Sequence, residues 1–128
     1  MLINIPVSVG ELADKITILE IKITKIKNSV MMINLKKEHK FLIDILNKKI
    51  KLDKTIKSEI LKLKKINLKL WDIEDGKRNA ESNKKFDKKF ITLARNVYIY
   101  NDKRAKIKLK INKLSGSEIV EVKFYKKY

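Results

Sequence analysis

The sequence has no cysteine, one proline, three glycines and one histidine in 128 residues. Each shortage closes off a class of answer. Without Cys there is no disulfide framework, no thiolate zinc site and no Cys nucleophile. A reducing cytoplasm fits that composition and is the expected location. The lone His39 cannot build a multi-His metal centre. No apolar run approaches the roughly 18 residues a membrane span requires. The opening MLINIPVSVGEL lacks the basic start and apolar stretch of a signal peptide. With Pro6 as the sole proline and glycines only at Gly10, Gly76 and Gly116, long helices follow almost by default. Nothing in the chain resembles a Gly-rich phosphate loop or a Ser/His/Asp set.

Arginine is scarce too. Only Arg78, Arg95 and Arg104 are Arg among 32 basic residues, although the net charge is +17. Ile, Asn and Lys dominate, the profile expected of an AT-rich genome in which Lys replaces Arg on surfaces at little structural cost. Specific nucleic-acid recognition favours Arg for bidentate contacts. The Lys residues are spread along every predicted helix rather than gathered in a tail. The charge therefore reads as a solvated surface, and any nucleic-acid binding is expected to be weak, salt-sensitive and non-specific.

The length predicts one domain spanning 1–128. Residues 2–7 alternate Ile3, Ile5 and Val7 with polar or Pro positions and read as a short strand. Ser8 three residues before Glu11 is a capping-box pattern, with Val7 and Leu12 in the staple positions. The first helix then runs to about Asn28 on a seam of Leu12, Ile16, Leu19, Ile23 and Ile26. Ile18 and Ile21 add a second apolar face, which marks this helix as central. The helical pattern over 31–82 is too long for one helix, and Asp53 or Thr55 is placed to cap a new one. That gives helices near 31–51 and 55–81, and a polar turn at 79–85. A fourth helix carries Phe90, Leu93, Val97, Tyr100, Arg104, Ile107, Ile111 and Leu114 at 3-4 spacing up to Gly116, which suits a left-handed C-cap. Residues 118–125 are β-branched and aromatic, so a second short strand pairing with 2–6 is expected. The fold class is mainly all-α: an antiparallel, coiled-coil-like bundle of three to four long helices. Phe41, Ile43 and Ile50 on the 31–51 helix suggest an apolar outer face and a homodimer.

The seams are interrupted by polar residues. Arg104 sits in the apolar stripe of the fourth helix, with Tyr98 and Asn101 on the same side. Glu59 stands on the third helix's seam, with Asn67 and Glu74 at its edge. A buried charge must be paired and hydrogen-bonded. Antiparallel third and fourth helices bring Glu74 level with Arg95 and Tyr98. They also bring Glu59 or a first-helix acid level with Arg104. If the termini meet, Asp14 and Lys15 approach the same end. The expected polar cluster is Asp14, Lys15, Glu74, Arg95, Tyr98, Asn101 and Arg104. It reads either as structural ion pairs fixing helix register or as a pocket for a small anionic ligand. No metal or cofactor is called for. The pairs Glu11/Asp14 and Asp72/Asp75 share helix faces, but Glu11 serves the capping box and Asp72/Asp75 points off the seam. There is no ExxH for a di-iron bundle. Trp71 flanks the third helix's seam and reads as a core-edge residue.

The strings PVSVGELADKITILEIK (6–22), LWDIED (70–75), LARNVYIYNDKRAKIK (93–108) and SGSEIVEVKFY (115–125) resemble an uncharacterised bacterial family, a domain of unknown function, over nearly the whole chain. The segment 29–66 matches only in pattern. The resemblance implies interest at Glu11, Asp14, Lys15, Trp71, Glu74, Asp75, Arg95, Asn101, Asp102 and Arg104, and implies no activity. A more distant similarity is to small helical chorismate mutases, which hold a dicarboxylate with Arg and Lys between the helices of a dimer. The first helix here offers Asp14-Lys15 but no Arg.

Three readings remain open. The favoured one is a non-enzymatic helical interaction or small-ligand-binding module. The second is a small-molecule enzyme or anionic-metabolite binder using the cluster. The third is a non-specific nucleic-acid-associated basic protein.

Overall fold

A computed structural model describes all residues 1–128. It contains four helices and no strand: α1 (Val9–Lys25), α2 (Ser29–Lys49), α3 (Lys54–Ser82) and α4 (Lys88–Ser115). Each begins on a side-chain cap. Ser8, Asn28, Asp53 and Asp87 accept from the backbone N–H three residues on. The long helical pattern divides at 50–53, where Asp53 takes the Ile56 N–H at 2.8 Å. The α4 helix ends at Gly116, whose φ of 69° is the left-handed conformation that glycine adopts without strain. The capping box at α1 is half made. Ser8 Oγ accepts from Glu11 N at 3.0 Å, but the Glu11 carboxylate turns away to Lys108.

The chain runs up, down, up, down, yet the packing is uneven. α3 and α4 form a long hairpin, α1 lies against both, and the α2 backbone lies beside α1 alone. Two small apolar clusters hold this together. Leu12, Ile16 and Leu46 join α1 to α2, with Leu42, Ile43, Ile50 and Ile60 around them. Ala13, Leu63 and Ile111 join α1 to α3 and α4. Ile43 and Ile50 thus face inward, because they fall on the same side of α2 as Leu46. Phe41 alone of the expected outer trio is exposed.

Neither terminal strand forms. Residues 1–7 are exposed throughout, where water satisfies the backbone groups and no neighbouring strand offers a ladder to join. The C-terminal segment 117–128 instead folds back along α4. Glu121 meets Lys108 at 3.1 Å, and the Tyr128 hydroxyl donates to Asp102 at 2.7 Å. The chain ends do approach where α1 begins: Val9 N donates to Ser117 Oγ at 3.1 Å and Gly10 N to Asn112 Oδ1 at 2.6 Å. No helix is long and apolar enough to cross a membrane.

Candidate functional site

The seam of α1 carries a carboxylate where an aliphatic residue would pack. Asp14 is 1% exposed and Thr17, one turn on, is fully buried. Both project between α3 and α4. Asn67 Nδ2, from the α3 seam, donates to Asp14 Oδ1 and to Thr17 Oγ1, each at 2.9 Å. Arg104 reaches across from α4. Its Nε donates to Asp14 Oδ1 at 2.9 Å and its Nη2 to Asp14 Oδ2. This side-on bidentate pairing matches the planar fork of the guanidinium to the carboxylate. The hydrogen bond to Asp14 raises the Arg104 pKa further, against the opposing effect of burial, so the cation is permanent.

Arg104 is not used up by this pair. The side-on contact occupies Nε and one Nη2 N–H, and Nη1 makes only a long 3.4 Å contact with Asn101 Oδ1. Of five N–H donors, two have no partner in the protein. The side chain is 29% exposed. It lines a cleft of about 290 Å³ between α1, α3 and α4. The apolar wall of that cleft is Ile18, Ile21, Leu70, Trp71 and Val97, and its polar end is Asn67, Asn101 and Arg104, with Glu74 also lining it. One face of Arg104 is therefore fixed by a buried carboxylate while the other meets open space beside an apolar wall.

One turn further along α4, Lys108 continues the polar line. Its Nζ lies 2.6 Å from Glu11 Oε2, 3.1 Å from Glu121 Oε2 and 3.9 Å from Asp14 Oδ2. Glu59, the other seam acid, belongs to a separate pair. Lys62 and Lys110 each approach its carboxylate at 3.0 Å. Burial pushes the Glu59 carboxyl up, but the hydrogen bonds and charges of these two lysines more than reverse this and hold it below its usual range.

Of the seven residues expected to cluster, the structure joins Asp14, Asn101 and Arg104. Glu74 borders the same cleft, but its carboxylate is held by Lys77 and Arg78 on its own helix, not by Arg95. Tyr98 stacks on Tyr128 with ring centroids 4.6 Å apart and faces the C-terminal segment. Lys15 is exposed, reaches Glu38 of α2 at 3.8 Å and does not line the cleft. Arg95 is exposed and pairs with no acid. The physical reason for Arg95 is helix phase. It stands nine residues before Arg104, about half a turn out of phase, so it lies on the opposite side of α4 from Val97, Asn101 and Arg104. Glu59 meets Lys110 rather than Arg104 because it lies two turns before Asn67, toward the α4 C-terminus.

Sequence reasoning placed Asn67 only at an edge and omitted Thr17 and Lys108. The signals were present: Asn67 stands between Leu63 and Leu70 at 4-3 spacing, and Lys108 is four residues past Arg104. Both are common residue types in this chain and so did not stand out. No group of three or more His, Asp or Glu side chains is disposed to hold a metal ion.

No curated protein and no solved structure matches the chain. A family described as of unknown function, DUF6165, matches residues 3–128. That match spans nearly the whole chain, the cleft residues included, and the chain belongs to the DUF6165 family.

Proposed function

We propose that the protein is a non-enzymatic binding module that takes a small organic anion in the cleft between α1, α3 and α4. The observation that carries this reading is the half-committed Arg104: Asp14 fixes its position, and two of its N–H donors remain for a ligand beside Asn101. Preorganisation of this kind removes the ordering cost a free arginine would incur on binding. The wall of Ile18, Trp71 and Val97 suits an aromatic or branched aliphatic body, and the arginine suits its carboxylate. A cleft of about 290 Å³ limits the ligand to a compact molecule. The enzyme alternative is weaker, because Lys15, which would supply the second cation of a dicarboxylate clamp, lies outside the cleft. A cytoplasmic setting accords with a small-metabolite role.

A thermal-shift screen of aryl and branched-alkyl carboxylates tests the proposal. Members of that set are expected to raise the melting temperature, and Asn101→Ala and Trp71→Leu to reduce the rise. A rise of equal size in both variants would place the ligand elsewhere.

Self-association is a second reading, favoured by the outer stripe of α2. Val30, Ile33, Phe41 and Ile45 share the face opposite Leu46 and are all exposed. Light scattering is expected to give twice the monomer mass, and Phe41→Lys with Ile45→Lys to return the monomer.

A further inference from the structure

The C-terminal segment forms one wall of a second, larger groove, whose other wall is α4. The groove has a volume of about 1130 Å³. Its lining carries six cationic side chains against three carboxylates. Three of the cations are already engaged: Arg104 with Asp14, Lys108 with Glu11 and Glu121, and Lys123 with Glu121 at 2.8 Å. Lys123 and Lys108 hold the Glu121 carboxyl below its usual range, and the Lys108 contact ties the segment to α4. The remaining three, Lys106 on α4 and Lys126 and Lys127 on the segment, line the groove with no acid in ion-pair reach. Three phenolic rings, Tyr98, Tyr125 and Tyr128, lie among them.

We infer that this groove is a second binding site and that it takes a compact phosphate ester. The argument rests on the count and type of charge. Against the three unpaired lysines stands one lining carboxylate outside those ion pairs, Asp102, so the groove keeps an excess of two positive charges. On lysines free to turn their point-like ammonium groups, that excess suits a multiply charged phosphate rather than a single carboxylate. The tyrosine hydroxyls and rings offer donors and a face for the organic part. A continuous nucleic-acid backbone is disfavoured, because Glu11, Asp102 and Glu121 stand in the same walls and would repel successive phosphates. The groove adjoins the cleft proposed above: Val97, Asn101 and Arg104 line both, Trp71 lines only the cleft, and Lys106, Lys126 and Lys127 line only the groove.

Calorimetric titration of the full chain with inorganic diphosphate at about 0.15 M salt, where remote surface charges are screened, tests the inference. Two double variants with the same charge change are compared. Lys126→Ala with Lys127→Ala removes two groove cations, and Lys36→Ala with Lys37→Ala removes two exposed ones on α2. The expected result is saturable binding that the groove variant weakens by about tenfold or more, the scale of two lost water-screened contacts, while the α2 variant binds as the unmodified chain does. Equal weakening in both variants would overturn the inference in favour of general charge attraction. So would the absence of binding, or an oligothymidylate that binds more tightly than diphosphate and is not displaced by it. Trp71 emission is expected to stay constant during the diphosphate titration, so this result and that of the cleft experiment stand or fall separately.

Discussion

Asp14 accepts from Asn67 and twice from Arg104, with Lys108 nearby, and it is almost wholly removed from water. Such a carboxylate is tolerable only while its partners remain. Arg104→Met is therefore expected to cost about 3 kcal/mol in chemical denaturation, the low end for breaking a buried pair because Arg104 keeps some solvent contact. Replacing both partners, with Asp14→Leu added, is expected to recover most of that loss, since an apolar pair leaves no charge stranded. Glu59 makes a pH prediction. Its folded pKa lies below the ordinary 4.5, so the unfolded chain binds the proton first. Its contribution to stability is present above about pH 4.5 and is lost as pH falls through the lower, folded value. Denaturation midpoints measured from pH 7 down to acid are expected to fall more steeply for the unmodified protein than for Glu59→Gln. At this scale the sequence was legible where a residue type was rare. Arg104 stood out as one of three arginines. Asn67 and Lys108, equally central to the geometry, were hidden among the many asparagines and lysines.

The elements meet more closely than their seams alone suggest, and Gly10 is the reason. A Cβ at that position would lie 2.5 Å from the Lys108 carbonyl oxygen and 2.9 Å from Asn112 Oδ1. In an unconstrained helix Gly→Ala stabilises by about 1 kcal/mol. Here the obstacle includes the α4 backbone, which cannot rotate aside, so Gly10→Ala is expected to reverse the sign and cost about 1–3 kcal/mol. Urea denaturation measures this, and a stabilised Gly10→Ala protein would refute the close α1–α4 contact. Helix starts were legible because Ser8 and Asp53 carry a local chemical cause. The terminal strands were misread because β-branched composition records a preference for a pleated, half-buried surface. Neither end finds one: residues 1–7 stay exposed, and the C-terminal segment is drawn along α4 by Lys108 and Asp102.

For the molecule as a whole, the net charge of +17 dominates the composition but does not define the cleft. The cleft lies where α1, α3 and α4 meet, bounded by one arginine, one tryptophan and a few aliphatic residues. Its location was legible as an interruption of the helical seams. Its membership was not, because that depends on which side of each helix faces the cleft once α1, α3 and α4 have packed, which the seams define only approximately. Arg95 is exposed on the side of α4 away from Arg104, and Lys15 turns toward α2. Trp71 is the only tryptophan in the chain and borders the cleft, so its emission reports on this site alone. Titration of the protein with aryl carboxylates, followed by Trp71 fluorescence, is the most direct test. A saturable change in emission, at the same concentration that raises the melting temperature and weakened by Asn101→Ala, is the predicted result. A carboxylate that stabilises the protein while Trp71 emission stays constant, or emission that stays constant across the whole set, would contradict the account.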